Sequence, residues 1–228
     1  MVQNIMIETH ELTRTFGRGE AAVHALCDVS FSIRTGEFAA VTGESGSGKT
    51  TLLNILGSLD TPTSGTVRAC GQDLTRMSDN QLAAYRRKNI GFIFQNYNLI
   101  PVLNVEENIV LPLNLDNTPP DMQFLDELLE VTGLTAKRRS FPHELSGGQQ
   151  QRVAFARALI HKPDIILADE PTGNLDSRNS REIIAILKNS IRKYNQTLVL
   201  ITHDPSIAAQ ADRIFRMTDG RLTEEGIG

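Results

Sequence analysis

Tryptophan is absent from this chain, and cysteine occurs twice, at Cys27 and Cys70. The two thiols have no metal-ligand spacing, so a zinc module is excluded. They are expected as buried, reduced side chains of a cytosolic protein. A basic surplus is missing as well. Lys and Arg number 23 against 27 Asp and Glu, and the net charge of −4 offers nucleic acid no attractive field. No apolar run approaches the roughly 20 residues that span a bilayer. The longest, such as Ile165-Ile166-Leu167-Ala168 and Thr197-Leu198-Val199-Leu200-Ile201, are strand-sized. No N-terminal charged-then-apolar segment reads as an export signal, so the chain is expected to stay where it is made. Work at a membrane would need another component to carry it there. Internal repeats and low-complexity segments are absent too.

The 228 residues fit one large domain with a subdomain and a substantial core. Ile5 to Leu12 and Val29 to Ile33 alternate as strands do. Phe38 to Thr42 is a short apolar run ending at Gly43, as expected for a strand buried on both faces. From about Ser78 to Ala158 helical patterns dominate. Met122 to Val131 carries an apolar stripe, with Pro119, Pro120 and Asp121 marking its start and Gly133 its stop. Ile165 to Ala168 and Thr197 to Thr202 read as buried strands around a helix from Asp176 to Tyr194. Arg213 to Arg221 reads as a hairpin turning at Asp219-Gly220. Strand, helix, strand order implies a parallel α/β sheet.

Gly43-Glu44-Ser45-Gly46-Ser47-Gly48-Lys49-Thr50 matches the phosphate-loop pattern G-x-x-x-x-G-K-[ST], with the preceding strand and following helix that the pattern requires. Glycines let a triphosphate lie against backbone N–H groups, and the helix start adds a favourable dipole. Lys49 reaches the β- and γ-phosphates, and the Thr50 hydroxyl suits Mg²⁺. Asp169 ends a buried strand, where it can reach the magnesium. Glu170, one residue on, can orient and polarise an attacking water. Capping of the next loop is the plainer use of such acids. His203 also follows a strand end, and open α/β proteins place their sites off the carboxyl ends of strands. His10, His24, His143 and His161 lack that placement and read as structural.

Leu145-Ser146-Gly147-Gly148-Gln149 opens another helix, with Ser146 as its N-cap and two glycines leaving N–H groups exposed. That is a second anion site in a chain that already has one. Together with the phosphate loop and Asp169-Glu170, this stretch resembles the ATP-binding subunit of ABC transporters, nearly end to end. The resemblance implies a P-loop NTPase (RecA-like) core with a mostly parallel sheet, an N-terminal antiparallel β subdomain and an inserted α-helical subdomain. It implies a single ABC ATP-binding domain over 1–228, with core at about 1–88 and 159–228 and the helical part at about 89–158.

The resemblance further implies ATP and Mg²⁺ as ligands and a head-to-tail dimer, of two copies or with a related ATPase subunit. Residues 43–51 through Thr51, with Phe16 stacked on adenine, would hold ATP in cis. Ser146, Gly147, Gly148 and Gln149 would hold the γ-phosphate of the partner. Glu170, His203 and Gln95 would be catalytic, and Thr50, Gln95 and Asp169 would hold the metal. Asn174-Leu175-Asp176 would contact the opposite subunit. Ala168 to Asp176 and Thr202-His203-Asp204-Pro205 look like one bacterial branch of the family, which covers macrolide export, lipoprotein release, antimicrobial-peptide transport and a cell-division pair. Members drive a separate integral membrane permease from the cytoplasmic face of the membrane. Tyr97, Leu99, Ile100 and Leu103 are apolar in what should be a loop, as either a docking surface or internal packing. Arg86-Arg87-Lys88 and Lys137-Arg138-Arg139 read as solvated faces. A cell-division ATPase of the same branch, a soluble ABC-type ATPase acting on DNA or ribosomes, a phosphate-loop kinase and a non-hydrolysing scaffold remain the competing readings.

Overall fold

The computed structural model describes residues 4–226. Two long strands open the chain, β1 (Ile5–Phe16) and β2 (Val23–Arg34), followed by β3 (Phe38–Thr42), α1 (Lys49–Leu56), β4 (Ser64–Ala69) and β5 (Gln72–Asp73). The middle holds α2 (Asp79–Asn89), β6 (Ile90–Ile93), α3 (Val105–Leu115), α4 (Met122–Val131) and α5 (Gly147–Leu159). The last third runs β7 (Ile165–Asp169), α6 (Ser177–Tyr194), β8 (Thr197–Ile201), α7 (Pro205–Ala208), β9 (Arg213–Thr218) and β10 (Arg221–Glu225).

The strands form two sheets. One is antiparallel, in the order β2, β1, β4, β5. The other runs β10, β9, β3, β8, β7, β6, parallel throughout except for the closing β9–β10 hairpin. That hairpin turns at Asp219-Gly220, both with positive φ, the geometry that matches strand twist. Central strands are apolar except at one end because each face packs on a different core. Ile166, Ala168, Leu198 and Leu200 join the core under α3, α4, α5 and α6. Ile165, Leu167, Val199 and Ile201 join the one shared with α1 and the antiparallel sheet. The period of two thus distributes one strand between two cores.

Local signals set the helix ends. In α4 the Asp121 carboxylate accepts from the Gln123 and Phe124 amides. At its far end Gly133 N–H donates to Glu130 O and Leu134 N–H to Leu129 O, closing the helix in a Schellman turn.

Four expectations need correction. A core boundary at 88/89 would give β6 to the helical insert, but β6 pairs in register with β7 and is the edge strand of the central sheet. Strands β1 and β2 are longer than expected. Glu11 and Asp28, with φ of 47° and 52°, bulge them and break their alternation. Cys27 and Cys70 are free thiols that are half-buried, not buried. Arg138 is no solvated side chain either. It pairs with Glu106 and Asp126, tying α3 to α4.

Candidate functional site

Strand β3 delivers Gly43 to the carboxyl end of the central sheet, and the loop 43–48 returns into α1. Two glycines there are dictated by space. A Cβ on Gly43 would stand 2.2 Å from Met217 O, and one on Gly48 2.2 Å from Ala25 O. Their φ values of 142° and 109° also suit glycine alone. Lys49 folds back across the loop. Its Nζ donates to Gly43 O at 2.8 Å and Glu44 O at 2.6 Å. An ammonium has three N–H groups, so two hold the loop and the third is left for a ligand oxygen.

The end of β7 lies against the start of α1. The Thr50 hydroxyl donates to Asp169 Oδ2 at 2.9 Å. Burial pushes the Asp169 carboxyl above its usual range and the Glu170 charge adds to this, while the Thr50 hydrogen bond opposes it. One hydroxyl and one carboxylate are hard oxygen donors of the kind Mg²⁺ takes beside substrate phosphates. Among the described residues no cluster of three or more His, Cys, Asp or Glu could hold a metal by itself. These residues therefore fit a magnesium ion whose other ligands come from phosphate and water.

Glu170 turns the chain out of β7 with φ 45°, while its N–H donates to Ile201 O of β8. Its Oε2 lies 2.6 Å from His203 Nδ1. A carboxylate accepts, so Nδ1 carries the proton of that bond. Gln95 follows β6, and Asn174 Nδ2 donates to its carbonyl at 3.0 Å. A Cβ on Gly173 would meet Gln95 Nε2 at 3.0 Å and Glu170 Oε2 at 3.4 Å. The loops after β6, β7 and β8 therefore converge on one point.

These groups share an open cleft of about 570 Å³. Of the residues singled out in the sequence, it brings together Phe16, Gly43, Ser45, Gly46, Gly48, Lys49, Thr50, Thr51, Gln95, Asp169, Glu170 and His203. Glu44 and Ser47 face away, into a smaller space between the loop and the β9–β10 turn. Ser146, Gly147, Gly148 and Gln149 do not line the cleft. Ser146 is exposed and caps α5 reciprocally, its Oγ accepting from Gln149 N–H while Gln149 Oε1 accepts from Ser146 N–H. A Cβ on Gly147 would lie 3.0 Å from Tyr97 Oη, and one on Gly148 3.0 Å from Asn179 Oδ1.

The family model described as ABC transporter matches residues 26–173, more than half of the chain. The chain belongs to the ABC transporter family. It is 44% identical over 222 residues to the macrolide export ATP-binding/permease protein MacB of Mannheimia succiniciproducens, covering 96% of this chain and 34% of that protein. The match to the protein of the same name from Shigella flexneri is 44% over 219 residues, covering 95% and 34%. The chain thus spans about a third of the length of these curated relatives. Among solved structures it is similar to the ATP-binding cassette MJ0796, in a dimeric post-hydrolysis state bound to ADP and Pi. The TM-score is 0.90 at 40% identity, covering 98% of this chain and 99% of that one. A second dimeric MJ0796 structure, described as a bacterial ABC transporter cassette, gives a TM-score of 0.89 at the same identity and coverage.

Sequence reading passed over part of this ABC cassette's cleft. Val23, His24 and Ala25 of β2 line it, which corrects the reading of His24 as merely structural, and His24 Nδ1 lies 3.1 Å from Thr15 Oγ1. No motif marks them, because β1–β2 pairing alone carries them there. Arg157, also missed, donates to Tyr97 O and Asn98 O at 2.6 Å each and so fixes the loop behind Gln95. The apolar loop itself divides. Leu99 packs on the core, while Ile100 lines an apolar groove with Phe92, Phe94, Leu111 and Leu115.

Proposed function

We propose that this chain is the ATP-hydrolysing motor of a membrane export system, working as a head-to-tail dimer around two ATP molecules. One observation carries the reading: the division of the phosphate-binding groups. The phosphate loop, Asp169, Glu170 and His203 share a cleft, while the capped start of α5 at Ser146 lies outside it. A helix start attracts anions. The anion left for it is the γ-phosphate held by a second copy or a related ATPase subunit.

In this reading the loop N–H groups and Lys49 bind the β- and γ-phosphates, and Phe16 faces the purine. Thr50, Asp169 and Gln95 would hold Mg²⁺, which neutralises charge on the phosphates. Glu170 takes a proton from the attacking water, and the products are ADP and phosphate. His203 donates Nδ1–H to Glu170 and so orients the base. Ser146 and Gly148 of the partner complete the site, so closure depends on bound nucleotide.

The groove beside Ile100 and Phe92 is the docking surface for an integral membrane permease, which keeps the chain peripheral on the cytoplasmic face of the membrane. Among the described residues no helix is long and apolar enough to cross a membrane. The identity to macrolide-export relatives supports an exporter of peptides, antibiotics or lipoproteins. Glu170→Gln tests the scheme. Turnover should fall about 10²–10⁴-fold, the usual worth of a general base. Light scattering should show a dimer with ATP and Mg²⁺. A variant that stays monomeric under those conditions would sink the proposal.

A further inference from the structure

Arg14 stands behind Phe16. Its guanidinium carbon lies 4.5 Å from the centroid of the Phe16 ring, over one face. Phe16 is 41% exposed and lines the cleft, whereas Arg14 does not line it. The guanidinium is not loose. Its Nη2 donates to Asp60 Oδ1 at 2.7 Å, with both side chains less than a quarter exposed. Asp60 in turn follows α1, and its N–H donates to Asn54 O at 3.3 Å within that helix. The same helix begins at Lys49 of the phosphate loop.

We propose that Arg14 is a positioning residue for base recognition. It backs the Phe16 ring so that the opposite face can stack a purine, and through Asp60 it fixes that ring relative to the phosphate loop. The inference rests on the reading of the cleft as an ATP site. A planar guanidinium stacks on an aromatic face as a point-charge ammonium does not. Drawing ring electrons toward the cation leaves the far face less negative, which favours a second π system there. The Asp60 bridge restrains the guanidinium and sets the base-to-phosphate spacing through one rigid helix.

The experiment is titration calorimetry with two probes, ATP and inorganic tripolyphosphate, on the full chain. It compares the natural protein, Arg14→Gln, Phe16→Leu and the double variant. Arg14→Gln should weaken ATP roughly three- to tenfold and leave tripolyphosphate unchanged, because only the base is affected. In the Phe16→Leu background Arg14→Gln should add no further loss. Arg14→Lys should recover part of the affinity. Asp60→Asn, which preserves shape, should give a smaller loss of the same kind and serves if Arg14→Gln does not fold. Equal weakening of both probes, or an Arg14→Gln loss that persists without Phe16, would overturn the proposal. So would a Phe16→Leu variant that binds ATP normally. Failure of the natural protein to bind either probe would instead remove the nucleotide-site reading itself.

Discussion

The two regions proposed to bind anions are built by opposite means. The cleft is assembled from the ends of β3, β6, β7 and β8 and the start of α1, and its polar groups hold one another: Lys49 the loop carbonyls, Thr50 Asp169, His203 Glu170. The cap of α5 needs no other element, since Ser146 and Gln149 satisfy each other's backbone. The first region therefore depends on tertiary structure. In the second the cap is local and Ser146 is exposed, which suits a group offered to another molecule. The largest expected break between them is Ser146→Asp. Asp caps as well as Ser, so the helix should stay. Its charge would face phosphate, and like charges in juxtaposition cost several kcal/mol. Nucleotide-driven dimerisation should vanish in light scattering while the monomer's affinity for ATP is unchanged. Loss of monomer affinity would show that Ser146 serves its own cleft.

Lys49→Ala attacks the other region. Removing a charged hydrogen bond costs about 1.5–3 kcal/mol, so ATP affinity should fall roughly ten- to a hundredfold by calorimetry. Thermal unfolding should reveal a loosened phosphate loop, because the same ammonium braces Gly43 and Glu44. The smallest effect concerns the loop behind His203. Asp204 caps α7, and its bonds from Ser206 hold its carboxyl below the usual range. A depressed folded pKa gives stability that is complete above the ordinary carboxylate value and is lost as pH falls through the depressed one. Protection of the Ser206 and Ile207 amides, read as the exchange rate relative to the intrinsic rate at each pH, should therefore fall on acidification, and Asp204→Asn should abolish that dependence while keeping the cap. Protection that does not change with pH in the natural protein would contradict the assignment.

Contiguous motifs were legible because their chemistry and geometry lie in neighbouring residues. The phosphate loop, the caps of α4 and the Asp219-Gly220 turn all carry their own signals. The cleft was legible wherever it is built from strand ends that carry such motifs. Contributions made by pairing were not. Arg14 reaches Asp60 across 46 residues, and Val23, His24 and Ala25 enter the cleft because β2 pairs with β1. Neither relation leaves a period in the sequence. The strand before Gln95 was placed with the helical part for the same reason, since four residues following a helix show their sheet only through the partner strand. Arg138 looked solvated because its two acids lie 32 and 12 residues away.

The outer rim of the six-stranded sheet has a practical consequence. Strand β10 ends it with Arg221, Thr223, Glu224 and Glu225, and both glutamates pair with arginines of β9, Arg213 and Arg216. A stray chain seeking to extend the ladder would have to bring its own backbone alongside this charged fringe. That border is therefore a poor template for filaments, and a nucleotide-driven dimer would pair through another part of the surface.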